Sequence, residues 1–181
     1  MRRVLAFLLA SALAARAATP AMEAPRPTEY EVKAAYLYNF AKFVKWPQEP
    51  QRGTFVIAVL GEDPFGQVLE RTFEGKLVLD RKVEIRRLDG PPGPNEAQML
   101  FVSGSERPRL AQHLKSLEGA SVLTVSDIDG FAERGGMIAL RVRNDVVQFE
   151  INLDQVERAH LKMSSQLIRL ARNVIGKGSG L

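Results

Sequence analysis

Apolar positions in this chain follow two patterns, which alternate along it. Residues 54–60 (T-F-V-I-A-V-L) are an almost unbroken apolar run, the mark of a strand buried on both faces. Shorter runs at 98–102 and 122–125 read the same way. Residues 82–88 alternate instead, Val83 and Ile85 against Glu84 and Arg86, which predicts a strand with one wet face. Residues 137–142 and 146–151 flank Arg143-Asn144-Asp145 and predict a β-hairpin. Between the strands the apolar spacing lengthens to three and four. Thr28-Glu29-Tyr30-Glu31 has the spacing of a capping box, and Val32, Tyr36, Phe40 and Phe43 form the stripe of a helix that Pro47 ends. Asp63 and Pro64 predict the start of a second helix running to about Phe73, and Ser105 the cap of a third through Leu117. Two closing helices are predicted at 154–160 and 166–175, the last capped by Ser164 or Ser165 and ended by Gly176. Strands alternating with helices predict an α/β fold: a mainly parallel sheet flanked by helices, with an antiparallel hairpin at one edge.

The first residues break this pattern. Arg2 and Arg3 precede an apolar stretch, 4–15, and Ala15-Arg16-Ala17 offers a cleavage site, so residues 1–17 read as a secretory signal peptide cut after Ala17. The apolar stretch is far shorter than the ~20 residues a membrane span needs. Residues 18–27, with Pro20, Pro25 and Pro27, read as a flexible lead. Residues 28–176 form a single domain and 177–181 a flexible tail. An exported chain of this kind belongs in the periplasm.

Charge changes the picture only once the leader is removed. The whole chain carries 25 basic and 21 acidic residues, but Arg2, Arg3 and Arg16 leave with the leader. The remainder is close to neutral and has no basic run, so nucleic acid is not an expected partner. The absence of cysteine rules out a disulfide framework, a thiol nucleophile and a thiolate metal site.

Candidate chemistry is sparse. His113 and His160 each sit on a predicted helix without a second metal-type residue at i+4, so neither a metal nor a cofactor is expected. No phosphate-binding glycine loop, nucleophile elbow or zinc-protease motif occurs. Asp127 and Asp129 lie two apart in the glycine-rich loop 126–136, beyond the end of a central strand, where open α/β sheets place their sites. Paired carboxylates can divide acid and base roles. The simpler expectation is that Ser126 and the two aspartates shape turns, while Gly130, Gly135 and Gly136 supply unusual backbone angles. An exposed Phe131 is the expected apolar anchor of this loop for a partner or ligand. Tyr38 and Trp46, off the main stripe of the first helix, are the second candidate surface. No catalytic residue is expected.

Several motifs resemble one family. The stretch from Glu29 to Pro47 (E-Y-E-V-K-A-A-Y-L-Y-N-F-A-K-F-V-K-W-P) looks like the opening signature of the YfiR family. Pro64-Phe65-Gly66, the V-L-T-V-S-D block at 122–127, Gly130-Phe131, Gly135-Gly136, Phe149-Glu150-Ile151-Asn152 and Ser164-Ser165-Gln166-Leu167 look like its later motifs, in order. The resemblance implies a periplasmic, non-enzymatic α/β protein, dimeric in the archetype. Such a protein represses an inner-membrane diguanylate cyclase by binding its periplasmic sensor domain, with an OmpA-like outer-membrane lipoprotein as counter-partner. It marks Tyr36, Asn39, Phe40, Gly130, Gly135, Gly136 and Asn152 as structural positions, Asn39 and Asn152 bonding backbone across elements. Some family members carry a cysteine where this chain has Ala97, so disulfide-based control would not operate here. The alternative expectation is a small-molecule-binding module that feeds a membrane sensor.

Overall fold

The computed structural model describes residues 26–47, 53–93 and 96–176. The predicted leader, its cleavage after Ala17, nearly all of the lead and the 177–181 tail lie outside these residues.

Helix α1 (Glu29–Phe43) begins at the capping box: Glu31 N–H donates to the Thr28 hydroxyl at 3.3 Å, and Thr28 N–H donates to the Glu31 carboxylate at 2.7 Å. It ends earlier than Pro47 implies, because Val44–Lys45 (β1) goes extended to pair antiparallel with Lys162–Met163 (β9). The main sheet has eight strands in the order β10-β8-β7-β6-β5-β2-β4-β3. Its centre is β2 (Phe55–Leu60), β5 (Met99–Val102), β6 (Leu123–Ser126) and β7 (Ile138–Arg143), all parallel. β4 (Arg81–Leu88) joins β2 in parallel, and the short β3 (Leu77–Val78) folds back on it through Leu79 and Asp80, both at positive φ. β8 (Val146–Asn152) returns antiparallel to β7 across Asn144 and Asp145, at φ 51° and 60°, the left-handed pair a tight hairpin turn requires.

Helices cover both faces. Phe55, Ile57 and Val59 of β2 point to one side, where they meet α1, α2 (Val68–Phe73), α4 (Leu153–Arg158) and α5 (Ser165–Leu170). Val56, Ala58 and Leu60 point to the other, against α3 (Leu110–Ser116) and Ile128, Phe131 and Ala132 of the loop that follows β6.

Four predicted features differ. The buried stripe of α1 is Lys33, Ala34, Leu37, Phe40 and Ala41, rotated from the expected one, with Val32, Tyr36 and Phe43 half-buried beside it. Asp63 accepts from Phe65 N–H at 2.8 Å in a local turn, so α2 starts only at Val68. Ser105 does not cap α3: residues Gly104–Arg109 form a 3-10 turn, and the Ser105 hydroxyl accepts from Glu62 N–H at 3.0 Å. The last predicted helix stops at Leu170, and Asn173–Ile175 becomes β10, parallel to β8. The open edge of β8 takes up these residues, beginning with Arg172 N–H donating to Phe149 O at 2.8 Å. Exposed backbone donors and acceptors on a sheet edge favour an added strand over a further helical turn.

Candidate functional site

The C-terminal ends of β5, β6 and β7 point the same way, and a cleft of about 470 Å³ opens beyond them. Its base is ionic. Lys33 side chain, 3% exposed, reaches across from α1 to Asp127, with Nζ 2.5 Å from Oδ2, and also pairs with Glu29 one turn earlier. Tyr30 hydroxyl donates to the same Asp127 oxygen at 3.1 Å. Burial opposes the charge on Lys33, but hydrogen bonds to Asp127 and Glu29 more than offset it and raise the pKa. Burial also raises the Tyr30 pKa, and the Asp127 carboxylate beside it adds to the effect.

Ser126 fixes the start of the loop. Its buried hydroxyl donates to Val102 O at 2.6 Å and accepts from Ile128 N–H at 3.0 Å, tying β6 to β5 and turning the chain. The chain then dives inward. Phe131 is fully buried in the second apolar cluster, so the expected exposed anchor is a core residue. The reason lies in the neighbouring strand face. Val56, Ala58 and Leu60 need an apolar cover that α3 alone does not supply. Gly136 permits the arrangement, since a Cβ there would lie 2.1 Å from the Phe131 ring. Gly130 and Gly135 take φ of 71° and 98°, the left-handed region that favours glycine. Asn152 closes the loop from β8: its Nδ2 donates to Ala132 O at 2.8 Å while its Oδ1 caps α4 by accepting from Gln155 N–H at 3.2 Å.

The two aspartates therefore part company. Asp127 faces Lys33, whereas Asp129 is 79% exposed and lies 3.8 Å from Arg107 and 3.7 Å from Arg141. Both line the cleft, but each is engaged with different cations. Arg141 is held more firmly by Glu150 at 3.0 Å and reaches Glu133 at 3.4 Å. Arg143 is exposed and has no ion pair among the described residues.

The second predicted surface is not brought to the cleft. Trp46 is buried, donates from Nε1 to Gln98 O at 3.1 Å and meets the Phe55 ring edge-on at 5.2 Å. It is core, not a pocket wall. Tyr38 is half-buried against Phe73, with Lys42 and Lys76 over its ring. Tyr36 ties α1 to β8, donating to Val147 O at 3.1 Å, and Phe40 is fully buried below it. Asn39 is exposed on α1 and makes no side-chain hydrogen bond among the described residues, so it does not bridge elements as expected.

Lys33, Tyr30, Arg107, Arg141 and Arg143 escape a reading of the sequence alone. One signal was available: Glu29 and Lys33 have helical i,i+4 spacing, and Lys33 falls in line with Leu37 and Phe40. A lysine on a buried stripe requires a partner. Another buried ionic group lies behind the cleft. Glu106, with its side chain 3% exposed, receives Arg109 at 2.7 Å and His113 at 2.6 Å. The Arg109 hydrogen bond holds the Glu106 carboxyl below the usual range against the opposing effect of burial, with His113 assisting. His113 is thus a buried structural partner, while His160 is exposed at the end of α4.

No described helix is long and apolar enough to cross a membrane. A family profile described as YfiR/HmsC-like matches residues 30–172, from the first turn of α1 to the approach to β10. That span takes in the sheet centre and the cleft residues Lys33, Arg107, Asp127 and Arg141, and on it the chain belongs to the YfiR/HmsC-like family.

Proposed function

We propose that this protein is a periplasmic repressor that holds an inner-membrane diguanylate cyclase inactive by binding its periplasmic sensor domain. It acts by contact and catalyses no reaction. The observation that carries this reading is the family match across the folded domain, since the family points to periplasmic regulation of cyclic di-GMP synthesis. The geometry supports it in one respect: the two aspartates of the glycine-rich loop are engaged with different cations, Asp127 with Lys33 and Asp129 with Arg107 and Arg141. Export by the leader at 1–17, a homodimeric state and release by an OmpA-like outer-membrane lipoprotein complete the proposal. Cyclic di-GMP measured with the gene deleted and then restored tests it. Deletion raises the level and restoration lowers it; an unchanged level in both strains sinks the repressor reading.

The second reading, a small-molecule-binding module that feeds a membrane sensor, retains one supporting observation. A groove of about 920 Å³ runs between α4, β9, α5 and β10, lined by apolar side chains including Val156, Leu161, Met163 and Ile168. This is within the size range of ligand sites. Thermal shifts of the purified protein against metabolite pools separate the two readings, because a melting temperature that no pool moves leaves the groove without a ligand.

A further inference from the structure

We propose that the cleft beyond β6 and β7 docks an acidic segment of the partner protein, and that Asp129 holds its place in the free state. The inference rests on the protein-contact reading above and names the surface and its chemistry. Three arginines, Arg107, Arg141 and Arg143, line the cleft. Two of them lack a close carboxylate: Arg107 is 53% exposed and 3.8 Å from Asp129, and Arg143 has no ion pair among the described residues. Arg141 differs. Glu150 holds its guanidinium at 3.0 Å, which fixes the orientation of the fork without using the side that faces Asp129. At the base Lys33 is shared by Asp127 and Glu29, so it offers no free charge to an incoming acid and the arginines alone attract one. Two exposed acids face the arginines, Glu133 at 3.4 Å from Arg141 and Asp129, but Asp129 is the one that lines the cleft and meets both Arg107 and Arg141, and at 3.7–3.8 Å in water it is loosely held. An incoming carboxylate displaces it at little cost.

The surroundings favour a polypeptide over a small acid. Val142 (42% exposed) lines the cleft, and Val146 (55% exposed) stands opposite Arg143 in the hairpin register, so an exposed apolar side chain lies beside the arginine at the tip of the β7–β8 hairpin. A free carboxylate has no use for that apolar surface. A segment with acidic and apolar residues fills both, and arginine beside exposed apolar groups is the composition of binding hot spots.

The test places a photo-crosslinking benzoylphenylalanine at Val146 in the full-length protein in living cells, with Leu77 as control. Leu77 is equally exposed, at 53%, but lies on β3 at the other end of the sheet. The expected result is an adduct from position 146 and none from 77. Mass spectrometry maps it to a partner stretch bearing carboxylates. R107E/R143E lowers its yield at least about tenfold, as reversal of contacting charges does, with the melting temperature unchanged. D129N raises the yield roughly two- to fivefold by removing the internal competitor. An adduct that survives R107E/R143E overturns the proposal, as does one that maps to a segment without carboxylates or to a second copy of this chain. No adduct from position 146, in cells where gene deletion raises cyclic di-GMP, overturns the cleft and leaves the repressor reading standing. No adduct together with unchanged cyclic di-GMP overturns both.

Discussion

The two faces of the sheet are buried by different means. One face is covered by helices, α1 with α2, α4 and α5, and Leu37, Phe40 and Ala41 of α1 join Ile57, Val59 and Phe149 in one cluster at regular helical spacing. The other is covered partly by α3 and partly by an irregular loop, in which Ile128, Phe131 and Ala132 reach inward from a polar, glycine-rich stretch. The first face shows how a helix makes a core out of periodicity. The second shows that a loop can do the same work when its glycines allow close approach, and that its outward residues are then held still on a rigid base.

If both faces are equally core, the largest effects should be alike. Phe40→Ala and Phe131→Ala should each cost about 3–5 kcal/mol in chemical denaturation. Because the two rings belong to separate clusters, the double variant should cost nearly the sum. A small loss at Phe131 alone would show the loop to be a detachable cover. Lys33→Met should cost about 3 kcal/mol by leaving Asp127 charged and half-buried without its cation. Lys33→Met with Asp127→Leu should recover part of that loss, so thermal melts of the single and double variants measure the link between α1 and the loop. Gly136→Ala should cost about 1–3 kcal/mol, since its Cβ would strike the Phe131 ring.

A smaller effect depends on pH. The Glu106 pKa is depressed in the folded state, mainly by Arg109. Its contribution to stability is therefore full above the ordinary glutamate value of 4.5 and is lost as pH falls through the lower folded value. Melting temperature should fall with acid below about pH 4.5, and Glu106→Gln should flatten that dependence relative to wild type. The smallest expected change is Asp129→Asn, within about 0.5 kcal/mol of wild type by denaturation, as suits an exposed and weakly paired side chain.

The same contrast explains what the sequence disclosed. The start of α1, the central strand β2 and the β7–β8 hairpin are legible because each is written locally, in a capping box, an apolar run and an Asn-Asp turn. The role of Phe131 is not, since nothing within the loop distinguishes an apolar residue that folds inward from one that stays out. β10 was hidden because α5 and its continuation carry a plausible helical stripe, and the open edge of β8 that captures residues 173–175 is a tertiary fact. The glycine-rich loop stands out by its composition, but its ionic base does not, because Lys33 and Asp127 stand 94 residues apart. Arg107, Arg141 and Arg143 come from two separate stretches and converge only once β5, β6 and β7 lie side by side.

The proposed restraint of cyclic di-GMP synthesis through the arginine-lined cleft is tested most directly by cyclic di-GMP in a deletion strain restored with either the wild-type gene or R107E/R143E, at matched levels of folded protein. The account predicts that wild type returns cyclic di-GMP to the parental level and that R107E/R143E leaves it as high as in the deletion. Full restoration by R107E/R143E would contradict it.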